Sequence, residues 1–301
     1  MNRLKLILVM LLWGSLGVFT KSIPLSALQL AFLRALIALP VLFIAMRLKK
    51  PAQPTPWKRY IPYVISGVLL AFGWLALFFG YKLTSISSAV IIYNMCPVYV
   101  MIAAPLILKE RIEKSQVAVI LLSFTGLFLI VGYNFLQGYN MAGIILSALS
   151  GMNYAIIVLL NRSIKQRVNN QTATFIQILT ATLVLLPFVL LDGTVEQIFQ
   201  LDVTSTLLTV MLGVLHTGVA YTLFFSVYEH MHSVEIVTYS YFEPLFAILL
   251  GVLFIGESMS YVQIIGGLLI LGSTFIGELL KNRRNAGSKS TTALVQKHSN
   301  N

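Results

Sequence analysis

The sequence predicts an all-α membrane protein of ten transmembrane helices arranged as two inverted five-helix repeats. Three observations predict it: an apolar composition, a one-sided distribution of basic residues, and a repeat at an offset of 147 residues. Of the 301 residues, 57% are hydrophobic and only 10% charged, against about 25% charged in an ordinary soluble domain. Mean hydropathy is +0.86. Cys96 is the only cysteine, so no disulfide forms within the chain. A spanning helix takes about 20 apolar residues, and ten of them leave no room for a separate soluble domain.

Apolar runs between charges and turn residues place helices 1 to 10 near 4–20, 28–46, 60–81, 86–108, 116–133, 141–160, 172–191, 205–228, 233–255 and 261–280. Helix 1, with Arg3 and Lys5 before its apolar stretch, resembles a cleavable signal. Gly14 and Gly17 interrupt its apolar run, and removing it would spoil the repeat, so it is retained as a span. Lys and Arg gather in cytoplasmic loops, and a bundle with its N-terminus inside accounts for 18 of the 21 cations. These are Arg3 and Lys5; Arg47, Lys49, Lys50, Lys58 and Arg59; Lys109, Arg111 and Lys114; Arg162, Lys165 and Arg167; and Lys281, Arg283, Arg284, Lys289 and Lys297. Lys21 and Lys82 fall outside and Arg34 lies within helix 2. Both termini are therefore expected in the cytoplasm, with the chain in the cell (inner or plasma) membrane. The net charge of +11 orients the protein and calls for no nucleic acid. The polar stretch after Leu280 reads as a disordered cytoplasmic tail, 281–301, whose basic cluster meets anionic lipid.

At the 147-residue offset Pro40 falls on Pro187, Phe78 on Phe225, Tyr81 on Tyr228, Val90 on Val237, Pro97 on Pro244, Glu110 on Glu257 and Gln116 on Gln263. Chance explains matched leucines but not two prolines, a glutamate and a glutamine in one register. The halves are 1–135 and 136–280. Five helices in each make the second half enter the membrane from the opposite side. Charge agrees: KERIEKSQ after helix 4 is basic, whereas GESMSYVQ after helix 9 has no cation. Inverted repeats meeting at the midplane are an architecture of secondary transporters.

With Trp13-Gly14-Ser15, Arg34, the run from Ser87 to Gln116 and its partner from Ser233 to Gln263, the chain resembles the drug/metabolite transporter superfamily, specifically its EamA-type ten-helix members. A Pro followed thirteen residues later by Glu and six further on by Gln carries the likeness in both halves. The resemblance implies export or exchange of small metabolites such as amino acids, and a cavity lined mainly by helices 1, 3, 4, 6, 8 and 9.

Pro97 and Pro244 are expected to kink helices 4 and 9 and to free the carbonyls of Tyr93 and Ser240, which must then face protein, water or ligand. Glu243 is the one carboxylate in the middle of a span, where a charge costs roughly 2.5–3.5 kcal/mol or more. It reads as a site for a proton or a cationic substrate group, or as a protonated brace of the kink. Arg34, in the outer half of helix 2, is expected to snorkel toward the surface and hold helices together; a substrate carboxylate is the other reading. Trp74, Phe78 and Tyr81 form a stripe that Tyr221, Phe225 and Tyr228 repeat. Trp74 and Tyr221, with Trp13 and Tyr154, are taken as cavity walls, and Tyr81 and Tyr228 as interfacial anchors.

The substrate-binding set is thus Trp13, Trp74, Tyr93, Asn94, Asn153, Tyr154, His216, Tyr221, Tyr239 and Glu243. For each polar member, bonding between helices is the competing use. Gly143, Ser147 and Gly151 line helix 6 at fourfold spacing for close packing, as do Ala247 and Gly251 on helix 9. No phosphate loop, zinc motif or nucleophile elbow occurs, so neither a cofactor, a metal nor ATP hydrolysis is called for. His230 and His232 with Glu229 and Glu235 read as solvated side chains rather than a metal patch. The expected partners are a small-molecule substrate, membrane lipid and protons. Efflux of lipophilic drugs and an intramembrane enzyme are the competing functions.

Overall fold

The computed structural model describes residues 2–48, 56–108, 114–138, 140–164, 168–228, 239–273, 275–277 and 279. Lys49, Lys50, Lys109, Glu110, Arg111, Lys165, Arg167, Glu229, His230, His232, Glu235, Val237 and the tail 281–301 lie outside the described residues, as do the side chains of Lys114, Arg162 and Phe225. Eight helices are long and apolar enough to cross a membrane, two shorter apolar helices follow, and no strand occurs among the described residues. Helix 1 is Asn2–Ser22, helix 2 Ala27–Leu48, helix 3 Ile61–Leu83, helix 5 Lys114–Leu136, helix 6 Met141–Ser163 and helix 7 Asn170–Leu191.

Three of the expected spans are not continuous α-helices. Helix 4 is two pieces, Ile86–Tyr93 and Cys96–Leu108. Helix 8 runs Val203–Gly213, then a π-helical stretch Val214–Val219, then Ala220–Tyr228. Helix 9 is Phe242–Leu250 followed by a π-helical turn Gly251–Ile255, and the last helix is Tyr261–Gly277. The prolines account for two of these departures. Pro97 is the second residue of Cys96–Leu108 and Pro244 the third of Phe242–Leu250. In a first turn the missing amide costs nothing, because that amide has no partner within the helix anyway. The expected mid-helix kinks are therefore starts of new helical segments.

Polar caps set where helices begin. Ser85 accepts from the Ser88 amide at 3.1 Å, Asn140 from Ala142 at 2.9 Å and Asn169 from Gln171 at 2.8 Å. Ser26 and Gln29 cap each other's amides at the start of helix 2, and Ser260 and Gln263 do the same at the last helix. Asp202 accepts from the amides of Thr204 and Ser205, and bonding to Ser205 holds its carboxyl below the usual range. A depressed native pKa gives stability that is complete above the ordinary carboxylate pKa of about 4 and is lost as pH falls through the native value. Asp202→Ala is expected to lower the melting temperature in detergent at neutral pH, with the difference from wild type vanishing in acid.

Helix 3 packs on helices 2, 6 and 7; helix 1 packs on helices 8 and 9; both pieces of helix 4 pack on helix 6. Small residues set the closest approaches. The Tyr93 carbonyl lies 2.6 Å from where a Gly151 Cβ would be, the Gly266 and Gly126 backbones pack directly together, and Gly14 rests on the Glu243 carbonyl. Helices 4 and 9 are antiparallel, since Glu257, just past helix 9, touches Ile86 at the start of helix 4. Large apolar side chains face outward, Leu121 at 63%, Phe128 at 72% and Leu268 at 68% exposed. Such a surface requires hydrocarbon around it, and the chain is a multi-pass membrane protein.

Candidate functional site

Arg34 is 2% exposed, which corrects the expectation that it snorkels to the surface. Its Nε donates to Thr217 Oγ1 at 3.0 Å, and its guanidinium lies 4.1 Å from the Trp74 ring centre and 5.3 Å from that of Phe78. A flat, weakly hydrated guanidinium suits such contacts, and the aromatic faces compensate part of its lost hydration. Tyr81 is 2% exposed and packs on Phe78 at 6.3 Å. It is therefore no interfacial anchor: although it stands two residues before the end of helix 3, the packing of neighbouring helices covers it.

Helices 1 and 8 meet at His216, which sits in the π-helical stretch. Its Nε2 is 2.8 Å from Ser15 Oγ and its Nδ1 is 3.1 Å from the Met211 carbonyl, while its own carbonyl accepts from Trp13 Nε1 at 3.1 Å. Phe19 covers the imidazole at 4.3 Å. The extra residue of a π turn re-aims side chains and often marks functional positions; here it directs His216 and Thr217 onto helices 1 and 2. Trp13 contacts Tyr221 at 5.3 Å and Phe224 at 5.1 Å.

Glu243 lies within electrostatic reach of Arg34, Tyr81, Tyr93 and Tyr221. Side chains from helices 2, 3, 4, 8 and 9 thus converge on one region. Arg34, Trp74, Phe78, Tyr81, His216 and Thr217 are buried or nearly so, whereas Trp13, Tyr93, Tyr221 and Glu243 are half-buried. Tyr93 faces Tyr154 at 6.0 Å, and Tyr154 is exposed.

The remaining predicted residues have other surroundings. Asn94 Nδ2 donates to Val90 within its own helix at 2.8 Å, so it satisfies the break in helix 4. Asn153 packs beside Gly73, and its Oδ1 is buried without a partner. Tyr239 stacks on Phe242 at 5.9 Å, within an apolar cluster between helices 1 and 8. Tyr241 meets Phe275 of the last helix at 5.3 Å. Two apolar grooves, of about 160 and 460 Å³, lie away from these residues around Phe72, Leu75 and Phe79 on the outer side of helix 3.

Sequence reasoning missed Thr217 and the pairing of Ser15 with His216, since nothing marks a π turn in an apolar run. Lys21 and Glu257 were counted as loop charges but form an ion pair at 3.0 Å.

Comparison with known proteins agrees with this architecture. The model of the EamA-like transporter family matches residues 3–132 and again 141–277. An uncharacterized transporter of Bacillus subtilis (strain 168), YxxF, is 27% identical over 96% of this chain and 92% of its own length. A probable amino-acid metabolite efflux pump of Salmonella typhimurium (strain LT2) is 23% identical over 90% of this chain and 92% of its own. A solved crystal structure, 21% identical, superimposes with a TM-score of 0.63 over 94% of this chain and 98% of its own. With two matched segments that together span nearly all of helices 1 to 10, the chain belongs to the EamA-like transporter family.

Proposed function

We propose that this transporter exports or exchanges small polar or amphipathic metabolites, amino acids or related amines first among them, by alternating access between two inverted five-helix repeats, 1–135 and 136–280. The observation that carries the substrate class is the presence of a buried cation, Arg34, and a half-buried carboxylate, Glu243, within electrostatic reach of each other and drawn from the two halves. A zwitterion offers the complement of both charges, and Trp13, Tyr221 and Tyr93 offer its side chain an apolar, weakly polar wall. The name of the Salmonella relative points the same way.

The inverted repeat is supported by reciprocal packing. Helix 1 packs on helices 8 and 9 as helix 6 packs on helices 3 and 4, which is the exchange an inverted duplication requires. The protein sits in the cell membrane with both termini and the tail 281–301 in the cytoplasm, as the distribution of cations favours.

The test is transport in sealed vesicles of known orientation, loaded with a pooled metabolite panel, with and without a pH gradient. Amino acids or amines should leave above an empty-vesicle control; release of none refutes the substrate class. In the same vesicles Glu243→Gln should remove the dependence on the pH gradient and slow transport by about tenfold, the equivalent of about 1.4 kcal/mol, without loss of folded protein. An unchanged pH dependence removes Glu243 from coupling.

A further inference from the structure

Glu257 is the glutamate of the second Pro-Glu-Gln signature, and the proposed site does not use it. Gly256, at φ 72°, ends helix 9 in the left-handed conformation, and the Glu257 amide returns to the Gly251 carbonyl at 3.2 Å. That turn carries the carboxylate back over Gly251, where a side chain would crowd it at 3.2 Å. Four donors meet it. Oε1 accepts from Lys21 Nζ at 3.0 Å and from the Ile86 amide at 2.7 Å; Oε2 accepts from the Ser87 amide at 3.1 Å and its hydroxyl at 3.0 Å.

The amides of Ile86 and Ser87 are the first of helix 4 and have no partner inside it. A carboxylate there completes the helix start and meets the positive end of its dipole. The junction joins helices 1, 4 and 9, all predicted cavity walls.

The four bonds are not equivalent. Ser88, one residue on, is tied to Asn134 of helix 5 and Gln263 of the last helix at 3.2 Å each. Glu257 and the start of helix 4 are thereby held as one body with helices 5 and 10. Lys21 alone comes from helix 1. It is 24% exposed and Glu257 9%, so water can replace this contact but has little access to the others. Seven residues earlier, two turns, Gly14 rests on the helix 9 backbone and supplies a pivot.

We infer that the two halves meet at a central cleft which Lys21 and Glu257 clasp shut on the face where helices 1 and 9 end, and that Lys21 releases while Glu257 stays on helix 4. The inference rests on the alternating-access reading above. Lys21 is a positioning residue for transport, acting through the seam between helix 1 and helices 4 and 9.

The experiment reads access to the cleft and needs no substrate. With Cys96→Ala removing the native thiol, Tyr221→Cys reports labelling by a membrane-impermeant maleimide added from either face of oriented vesicles. Lys21→Gln should speed labelling from the Lys21 face about two- to fivefold, the population shift expected of a partly exposed ion pair, and slow it from the other face. Lys21→Arg should restore the original rates. Unchanged rates, or rates raised from both faces as in a loosened fold, overturn the clasp while leaving transport as read. Absence of labelling from both faces in every variant overturns the cleft and the clasp together.

Discussion

Arg34→Ala is expected to destabilise the protein by about 3–5 kcal/mol and to abolish transport. Removing one member of a buried polar cluster costs this much because its partners are left without compensation and a void remains. Two aromatic contacts are lost with it, at about 2 kcal/mol for a well-desolvated one, and Thr217 loses its donor. Arg34→Lys should recover only part, since an ammonium cannot lie flat on Trp74 while bonding Thr217. Thermal unfolding of the purified variants in detergent checks both. A loss below about 0.5 kcal/mol for the alanine variant, the usual range for surface changes, would show that Arg34 is not held as described and leave it only a substrate role.

The second large effect concerns helix 1 against helix 9. At Gly14 an added Cβ would lie 2.7 Å from Phe246 Cβ, 2.8 Å from the Glu243 carbonyl oxygen and 3.0 Å from the Ala247 amide nitrogen. Two of these three atoms are backbone and cannot turn aside, so Gly14→Ala must part the helices beside Glu243. Overpacking costs about 1–3 kcal/mol, and Gly14→Leu should leave little folded protein. Gly132 is the control: nothing lies within 4 Å of its Cβ position. Gly132→Ala should be neutral or stabilise by up to about 1 kcal/mol, the difference in helix propensity. If both alanines behave alike, helix 1 does not pack on helix 9 through Gly14.

How much was legible differs from element to element. A run such as Ala27–Leu48 states its own structure, because in lipid a backbone must bond to itself and a helix does so with local contacts alone. Arg34 and Glu243 were conspicuous for the same reason: a charge at membrane depth is too costly to be idle. Their surroundings were not conspicuous. Arg34 was expected at the surface because depth along a helix is readable while rotation against neighbours is not; Trp74 and Phe78 are forty or more residues away, and Thr217 comes from the other half. Pro97 and Pro244 signalled an irregularity, yet whether a proline bends a helix or begins one depends on where the chain before it breaks.

Composition and hydropathy determined that this chain is a bundle of membrane helices, since that follows from the free energy of single segments in lipid. The doubled Pro-Glu-Gln pattern carried the family. Only tertiary structure decided that Arg34 lies against Trp74 and Phe78, that His216 leans on Ser15 through a π turn, and that Glu257 caps a helix 171 residues away. Those outcomes are set by contacts between helices, whose partners are chosen by close packing and hydrogen bonding rather than by any property of one segment.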